Sequence, residues 1–148
     1  MSPEQESVWD YPRPPRVEPV AQPLRVVHRG ALLARTDRGL RVLETSHPPC
    51  YYFPFEDVVA GRLAPWPGRA SHCPHKGYAT YLLLMEGGTP VAWRYPAPTP
   101  DYRMLEGHVS FHSGRVDECW VGDERARPQP GDLGGWITDR IVGPFAGA

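Results

Sequence analysis

The sequence predicts a mainly β domain of antiparallel strands with one or two short helices, and three observations carry that prediction. Nineteen prolines and fifteen glycines in 148 residues set turns along the whole chain and interrupt any long helix. Short runs rich in β-branched and aromatic residues recur roughly every dozen positions, the spacing of strands joined by tight turns. Only one segment before residue 99, "PFEDVVAGRL", carries both a helix start and a helix stop. A chain of this length buries about 70% of its unfolded surface, so residues 1–148 are read as one domain that needs no disulfide or metal to fold.

Taken in order, residues 8–23, "VWDYPRPPRVEPVAQP", hold five prolines. They read as an extended strap that lies on the domain with Trp9 and Tyr11 as apolar anchors. "LRVVH" and "ALLAR", turning at Arg29 and Gly30, form a hairpin, and "LRVLET" is the next strand. In "PFEDVVAGRL", Pro54 near the start, Glu56 and Asp57 in the first turn and Gly61 near the stop predict about two helical turns within residues 54–62. "YATYLLLM", "PVAWRY", "HVSFH" and "RVDECWV" follow as strands, with "EGGTP" and "HSGRV" as turns. The tail from about 123 to 148 is rich in proline and glycine. It also carries Trp136, Ile137, Ile141, Val142 and Phe145, too apolar for a free linker, and reads as a second strap. The glycines of "EGG" and "LGG" are assigned to turns.

Composition narrows the function classes. The formal charge is -1, with acids and arginines interleaved, so no basic surface is predicted for nucleic acid or an anionic membrane. The first residues lack the basic and apolar regions of a secretory signal, and the longest aliphatic run is "LLLM". A cytoplasmic location is expected, where three cysteines without a C-x-x-C pair remain thiols.

The stretch "SHCPHKGYATY" contains Lys76, the one lysine beside fifteen arginines in a chain without asparagine. Such a bias fits GC-rich coding, and a lysine kept against it suggests a compact ammonium where a planar guanidinium does not fit. Two His/Cys groups, His47 with Cys50 and His72, Cys73 with His75, could offer zinc two ligands each. Their spacing lacks the paired knuckles of structural zinc, and neither a metal nor another cofactor is expected. Cys73 lies three residues before Lys76, whose charge would favour a thiolate. Alternatively a desolvated Lys76 could form a Schiff base, with His47, His108 or His112 as a base. Three residues apart in a strand, the two side chains would face opposite sides, so Pro74 must turn the chain for both to reach one pocket. Gly77 would then let the backbone approach a ligand closely or take a positive φ. Tyr51, Tyr52, Tyr78, Tyr81, Trp93, Tyr95, Tyr102 and Phe111 crowd the same region of sequence. About half belong to the core by strand alternation alone; the others could floor a pocket.

In order along the chain, "SVWDYPRPPRVEP", "RVLETSHPPCYYFP", "SHCPHKGYATY", "AWRYPAPTPD", "LEGHVSFH" and "DERARPQPGDLGGWITDRIVGPF" resemble domain-of-unknown-function family 427, sometimes labelled nucleotidyltransferase-like. The resemblance runs from about Ser7 to Phe145. It implies a small bacterial protein with a β-tent fold: two short antiparallel sheets pinned along one edge, here with proline-rich terminal straps. Folds of that kind serve as ligand-binding, sulfoxide-reducing and RNA-end-binding domains. Carried over by position, it marks Glu44, Ser46, His47, Pro48, Tyr51, Tyr52, Cys73, Lys76, Gly77, Trp93, Tyr95, Pro96, His108 and Phe111, and this chain departs from it at Cys50 and His75. Nucleotidyl transfer needs carboxylates that hold Mg²⁺ on a triphosphate, and the acids here are scattered singly.

The resulting expectation is a small polar or anionic ligand in an aromatic-lined pocket, anchored by Lys76. Cys73, Glu44, His47, Tyr51, Tyr52, Trp93, Tyr95 and His108 complete the expected site. The alternatives are an enzyme that uses Cys73 or Lys76 covalently, and an interaction module whose straps engage a partner. No nucleic-acid or membrane partner is expected, and the protein is read as a monomer or homodimer.

Overall fold

A computed structural model describes residues 5–147; residues 1–4 and 148 of the predicted domain lie outside the described residues. The N-terminal stretch supplies β1 (Glu6–Ser7) and β2 (Arg16–Pro19). The predicted hairpin follows as β3 (Leu24–His28) and β4 (Ala31–Thr36), then β5 (Leu40–Leu43) and β6 (Cys50–Pro54). A meander of β7 (Leu63–Cys73), β8 (Gly77–Leu84) and β9 (Pro90–Arg94) leads to β10 (His108–Phe111) and β11 (Glu118–Val121). Four two-residue strands close the chain: β12 (Glu124–Arg125), β13 (Arg127–Pro128), β14 (Trp136–Ile137) and β15 (Ile141–Val142). They assemble into two antiparallel sheets, one of seven strands in the order β2-β5-β6-β10-β9-β8-β7 and one of four in the order β12-β11-β3-β4. The pair β13-β14 is antiparallel, and β1-β15 is parallel. No helix among the described residues is long and apolar enough to cross a membrane.

Two expectations change in detail. The helix in residues 54–62 is a single 3-10 turn, Phe55–Asp57. Sheet interactions claim its continuation: Asp57 accepts a 2.7 Å bond from the Thr36 hydroxyl, and Val58 turns extended to bridge Ala34. Sequence reading also overlooks β7, because Pro65, Pro67 and Gly68 look like a loop. An edge strand tolerates proline, which removes only an outward donor, and the pairing with β8 shifts register between Pro65 and Ala70. The straps are more than covers: Arg16–Pro19 pairs with Leu40–Leu43 as the other edge of the large sheet.

The main core lies between the two sheets. Leu24, Val26 and Leu33 of the small sheet meet Tyr51, Phe53, Leu82, Val109 and Phe111 of the large one. Trp136 is 0% exposed in this core, tilted at 4.9 Å against Tyr51, and its indole N–H donates to the Phe111 carbonyl at 3.0 Å. A second cluster, with Val42, Tyr52, Ala79, Tyr95, Tyr102 and Leu105, sits on the opposite face of the large sheet. A third joins Val8, Tyr11, Leu43 and Ile141 near the chain ends. Beside it, buried Arg41 bonds Glu6 and Glu18, while Arg140 bonds the second oxygen of Glu6 at 3.2 Å.

Two outcomes follow from this packing. Trp136→Ala should lower unfolding free energy by about 3–5 kcal/mol, the usual cost of emptying a large aromatic site; an unchanged denaturation midpoint would show that the tail is not part of the core. Arg41→Met leaves two carboxylates without their shared partner and should cost about 3 kcal/mol, at the low end for a buried pair because the acids retain some water. The Glu6 carboxyl, despite the upward push of burial, is held below its ordinary value by the bonds from Arg41 and Tyr11. Its contribution is therefore present above its unfolded pKa and lost as pH falls through the lowered folded value. Acid titrations of the wild type and Arg41→Met should converge toward low pH; a gap that stays constant to full acid unfolding argues against the ion-pair account.

Candidate functional site

The second face of the large sheet holds the candidate site. In β6, side chains alternate, so Tyr51 and Phe53 enter the inter-sheet core while Cys50 and Tyr52 face the other way. Register extends that second face sideways: Tyr52 lies opposite Ser110, Ser110 opposite Trp93, and Trp93 opposite Tyr81. A cleft of about 270 Å³ opens over this floor, near the small end of the ~300–1,000 Å³ typical of small-molecule sites. Glu44, His47 and Pro48 form one wall, Lys76 and Tyr95 another, and Gln129, Leu133 and Gly134 a third.

Lys76 reaches the cleft because the β7–β8 hairpin is tied under the segment that follows β9. Cys73 pairs with Gly77 across the turn, and the Lys76 N–H donates to Cys73 Sγ at 3.4 Å. Thr99 holds the turn twice: its N–H donates to the Lys76 carbonyl at 3.0 Å, and its hydroxyl donates to the His75 carbonyl at 2.6 Å. Gly77 has φ +105°, the positive φ that the sequence predicts, and its close neighbour is the Ala97 carbonyl of its own chain. Lys76 is 7% exposed, with Nζ 5.7 Å from the Tyr95 ring centroid. Among the described residues no carboxylate pairs with that ammonium and no side chain or carbonyl accepts a hydrogen bond from it.

Hydrogen-bond direction fixes what the other walls offer. The Gln129 amide accepts from Gly135 N–H through Oε1 at 3.0 Å and donates through Nε2 to the Ala146 carbonyl at 3.1 Å. The same Nε2 lies 3.1 Å from His47 Nδ1, so Nδ1 accepts and the ring proton sits on Nε2, the donor left to the cleft. Trp93 Nε1–H, which can only donate, bonds the Tyr52 hydroxyl at 3.1 Å. The Tyr95 hydroxyl lies near that of Tyr52. Burial raises both tyrosines above their ordinary range, so both are hydroxyls and not phenolates. The cleft thus presents an ammonium, an imidazole N–H and a phenol O–H.

Of the residues expected from sequence, Lys76, Glu44, His47, Tyr52, Trp93 and Tyr95 line the cleft together. Cys73 packs half-buried against the Tyr52 and Tyr95 cluster behind it. Tyr51 is placed elsewhere, because neighbours on a strand cannot share a face. His108, at the start of β10, is occupied with the Glu106 carbonyl at 3.0 Å and does not line the cleft. Cys50, noted in the sequence as a possible zinc ligand with His47 and as a departure from the family, does line it, and burial pushes its thiol up to about 11. Ser71 and Tyr81, bonded to each other at 2.6 Å, belonged to the quoted motif and to the aromatic set; nothing in the sequence singled out Gln129. The "LGG" glycines do not make a positive-φ turn. A Cβ on Gly134 would stand 2.6 Å from the Trp93 ring, and one on Gly135 2.5 Å from Gln129 Oε1, so they are small because the cleft wall passes close to both. Among the described residues no three His, Cys, Asp or Glu side chains converge as metal ligands.

A larger cleft of about 790 Å³ flanks Arg41, Tyr51 and Arg140. Its arginines are already bound to Glu6 and Glu18, which leaves it without the unpaired cation that marks the smaller one.

A sequence model of the family described as domain of unknown function (DUF427) matches residues 16–122, well over half of the chain, which therefore belongs to that family. No curated protein matches.

The raised Cys50 thiol gives a direct outcome. At pH 7.5 its alkylation in the folded protein should run about 100-fold slower than in the urea-unfolded chain, from thiolate fraction alone, and accelerate roughly tenfold per pH unit up to pH 9. Peptide-resolved mass spectrometry of iodoacetamide labelling measures it, and equal folded and unfolded rates would contradict the burial described here.

Proposed function

We propose that this DUF427 protein binds a small organic anion, with the anionic group on Lys76 Nζ and a planar or apolar body on the floor of Tyr52, Tyr81 and Trp93. One observation carries the reading: Lys76 is buried, lines a cleft, and among the described residues forms no ion pair. Shielding an ammonium from much of its water without a partner is unfavourable, and an anion entering the cleft offsets that cost where the attraction is less screened than in water. The His47 Nε2–H and the Tyr95 hydroxyl supply two further donors.

Covalent use of a cysteine has less support. Cys50 is held as a thiol at neutral pH, and Cys73 does not line the cleft. The straps are likewise engaged in sheet pairing with their own chain, which argues against a free interaction arm. Nucleotidyl transfer would ask for clustered carboxylates, and the cleft holds Glu44 alone. The proposal includes a bacterial, cytoplasmic protein, in keeping with three free cysteines.

Calorimetric titration with benzoate, 3-phenylpropionate and indole-3-acetate tests the reading. At least one should bind the wild type. Lys76→Met and Lys76→Arg should each weaken it tenfold or more while the melting temperature stays within a few degrees, since guanidinium geometry does not reproduce a compact ammonium. No binding by any of the three, or full affinity in Lys76→Met, would sink the proposal.

A further inference from the structure

The cleft carries a second charge of opposite sign. Glu44 lines the same cavity as Lys76, yet among the described residues no ion pair joins them. The ionic neighbour of Glu44 is Arg13 at 3.9 Å, a guanidinium side chain 58% exposed to water. Both cleft charges lie close enough to act on the Cys50 thiol, and with opposite effect. Unlike charges sharing one cleft attract, so their separation needs a cause, and the backbone provides it. Glu44 is set by the turn in which its carbonyl accepts from His47 N–H at 3.0 Å and the next residue, Thr45, donates to the Pro12 carbonyl at 3.2 Å. Lys76 is set by the two bonds from Thr99. The two main chains are thus anchored independently of each other.

A plain anion on Lys76 would leave Glu44 repelling it from across the cleft. A ligand that carries a cation close to its carboxylate offers each of the two charges a partner. We infer that the ligand is a free α-amino acid, its carboxylate on Lys76 Nζ and His47 Nε2–H, its α-ammonium on Glu44, and an apolar or aromatic side chain on Tyr52 and Trp93. A free amino acid bears both charges on one carbon, whereas a peptide separates them along its length. A volume of about 270 Å³ also has little room for a peptide or a nucleotide. This inference rests on the anion-binding reading above and specifies its ligand.

L-phenylalanine, 3-phenylpropionate and 2-phenylethylamine differ only in which charge they carry, and calorimetric titration of each against the wild type and Glu44→Gln separates the two readings. Phenylalanine should bind the wild type at least tenfold more tightly than either analogue. In Glu44→Gln, phenylalanine should weaken to the level of 3-phenylpropionate, while 3-phenylpropionate binds more tightly because a repulsion has been removed. Circular dichroism melts confirm that this partly exposed position leaves the fold intact. Equal wild-type affinities for phenylalanine and 3-phenylpropionate, or a preference that persists in Glu44→Gln, would overturn the amino-acid inference and leave the anion site standing. Failure of phenylalanine and all the carboxylates to bind would overturn both.

Discussion

Strand alternation imposes the constraint on which the rest of the structure depends: the middle strands of the large sheet carry large side chains on both faces, so both faces must be covered. Tyr51 and Phe53 point one way and Tyr52 the other, and burying an aromatic side chain on either side is worth roughly 1.5–3 kcal/mol. On the first face the cover is regular, a four-stranded sheet closed by Trp136. On the second face no regular layer is present. The 3-10 turn Pro100–Leu105 places Tyr102 and Leu105 over part of it, and residues around 129–135 reach over another part. The cleft is the opening between these irregular pieces.

That origin explains the chemistry of its walls. Irregular chain satisfies its backbone groups one at a time, through side chains and isolated carbonyls, and the same bonds that meet this need fix the functional groups. Thr99 secures the lysine turn, and Gln129 binds a loop amide, a tail carbonyl and an imidazole at once. Such a site is preorganised by the groups that make the cover stable, so its donors are aimed before any ligand arrives. The Tyr52 hydroxyl behaves likewise: it accepts from Trp93, which turns its own proton away from the indole.

The legible and illegible parts of the sequence divide along the same line. The β3–β4 hairpin was readable because β-branched runs flank a Gly turn, and Lys76 because composition made it conspicuous. Local pattern failed where a distant partner decides. Pro65 and Pro67 conceal an edge strand that only β8 defines, and the acids of "PFEDVV" promise helix until Thr36 and Ala34 draw Asp57 and Val58 into the sheet. Tyr51 was grouped with Tyr52 by composition although their adjacency alone assigns them to opposite faces. Gln129 could not have been found without knowing that the tail folds back onto the 44–50 loop.

The parallel pairing of Glu6–Ser7 with Ile141–Val142 sets an order of events during synthesis. Residue 141 must leave the ribosome before residue 6 can find its partner, and the Glu6 bond to Arg140 waits equally long. The β3–β4 hairpin and the β7–β8–β9 meander need only neighbours in sequence and can form on the nascent chain. Glu6 and Arg41, by contrast, are both available early and can meet before the tail exists. Closure is therefore a late, long-range step, and the indole that completes the inter-sheet core arrives with it, from the same final stretch of polypeptide.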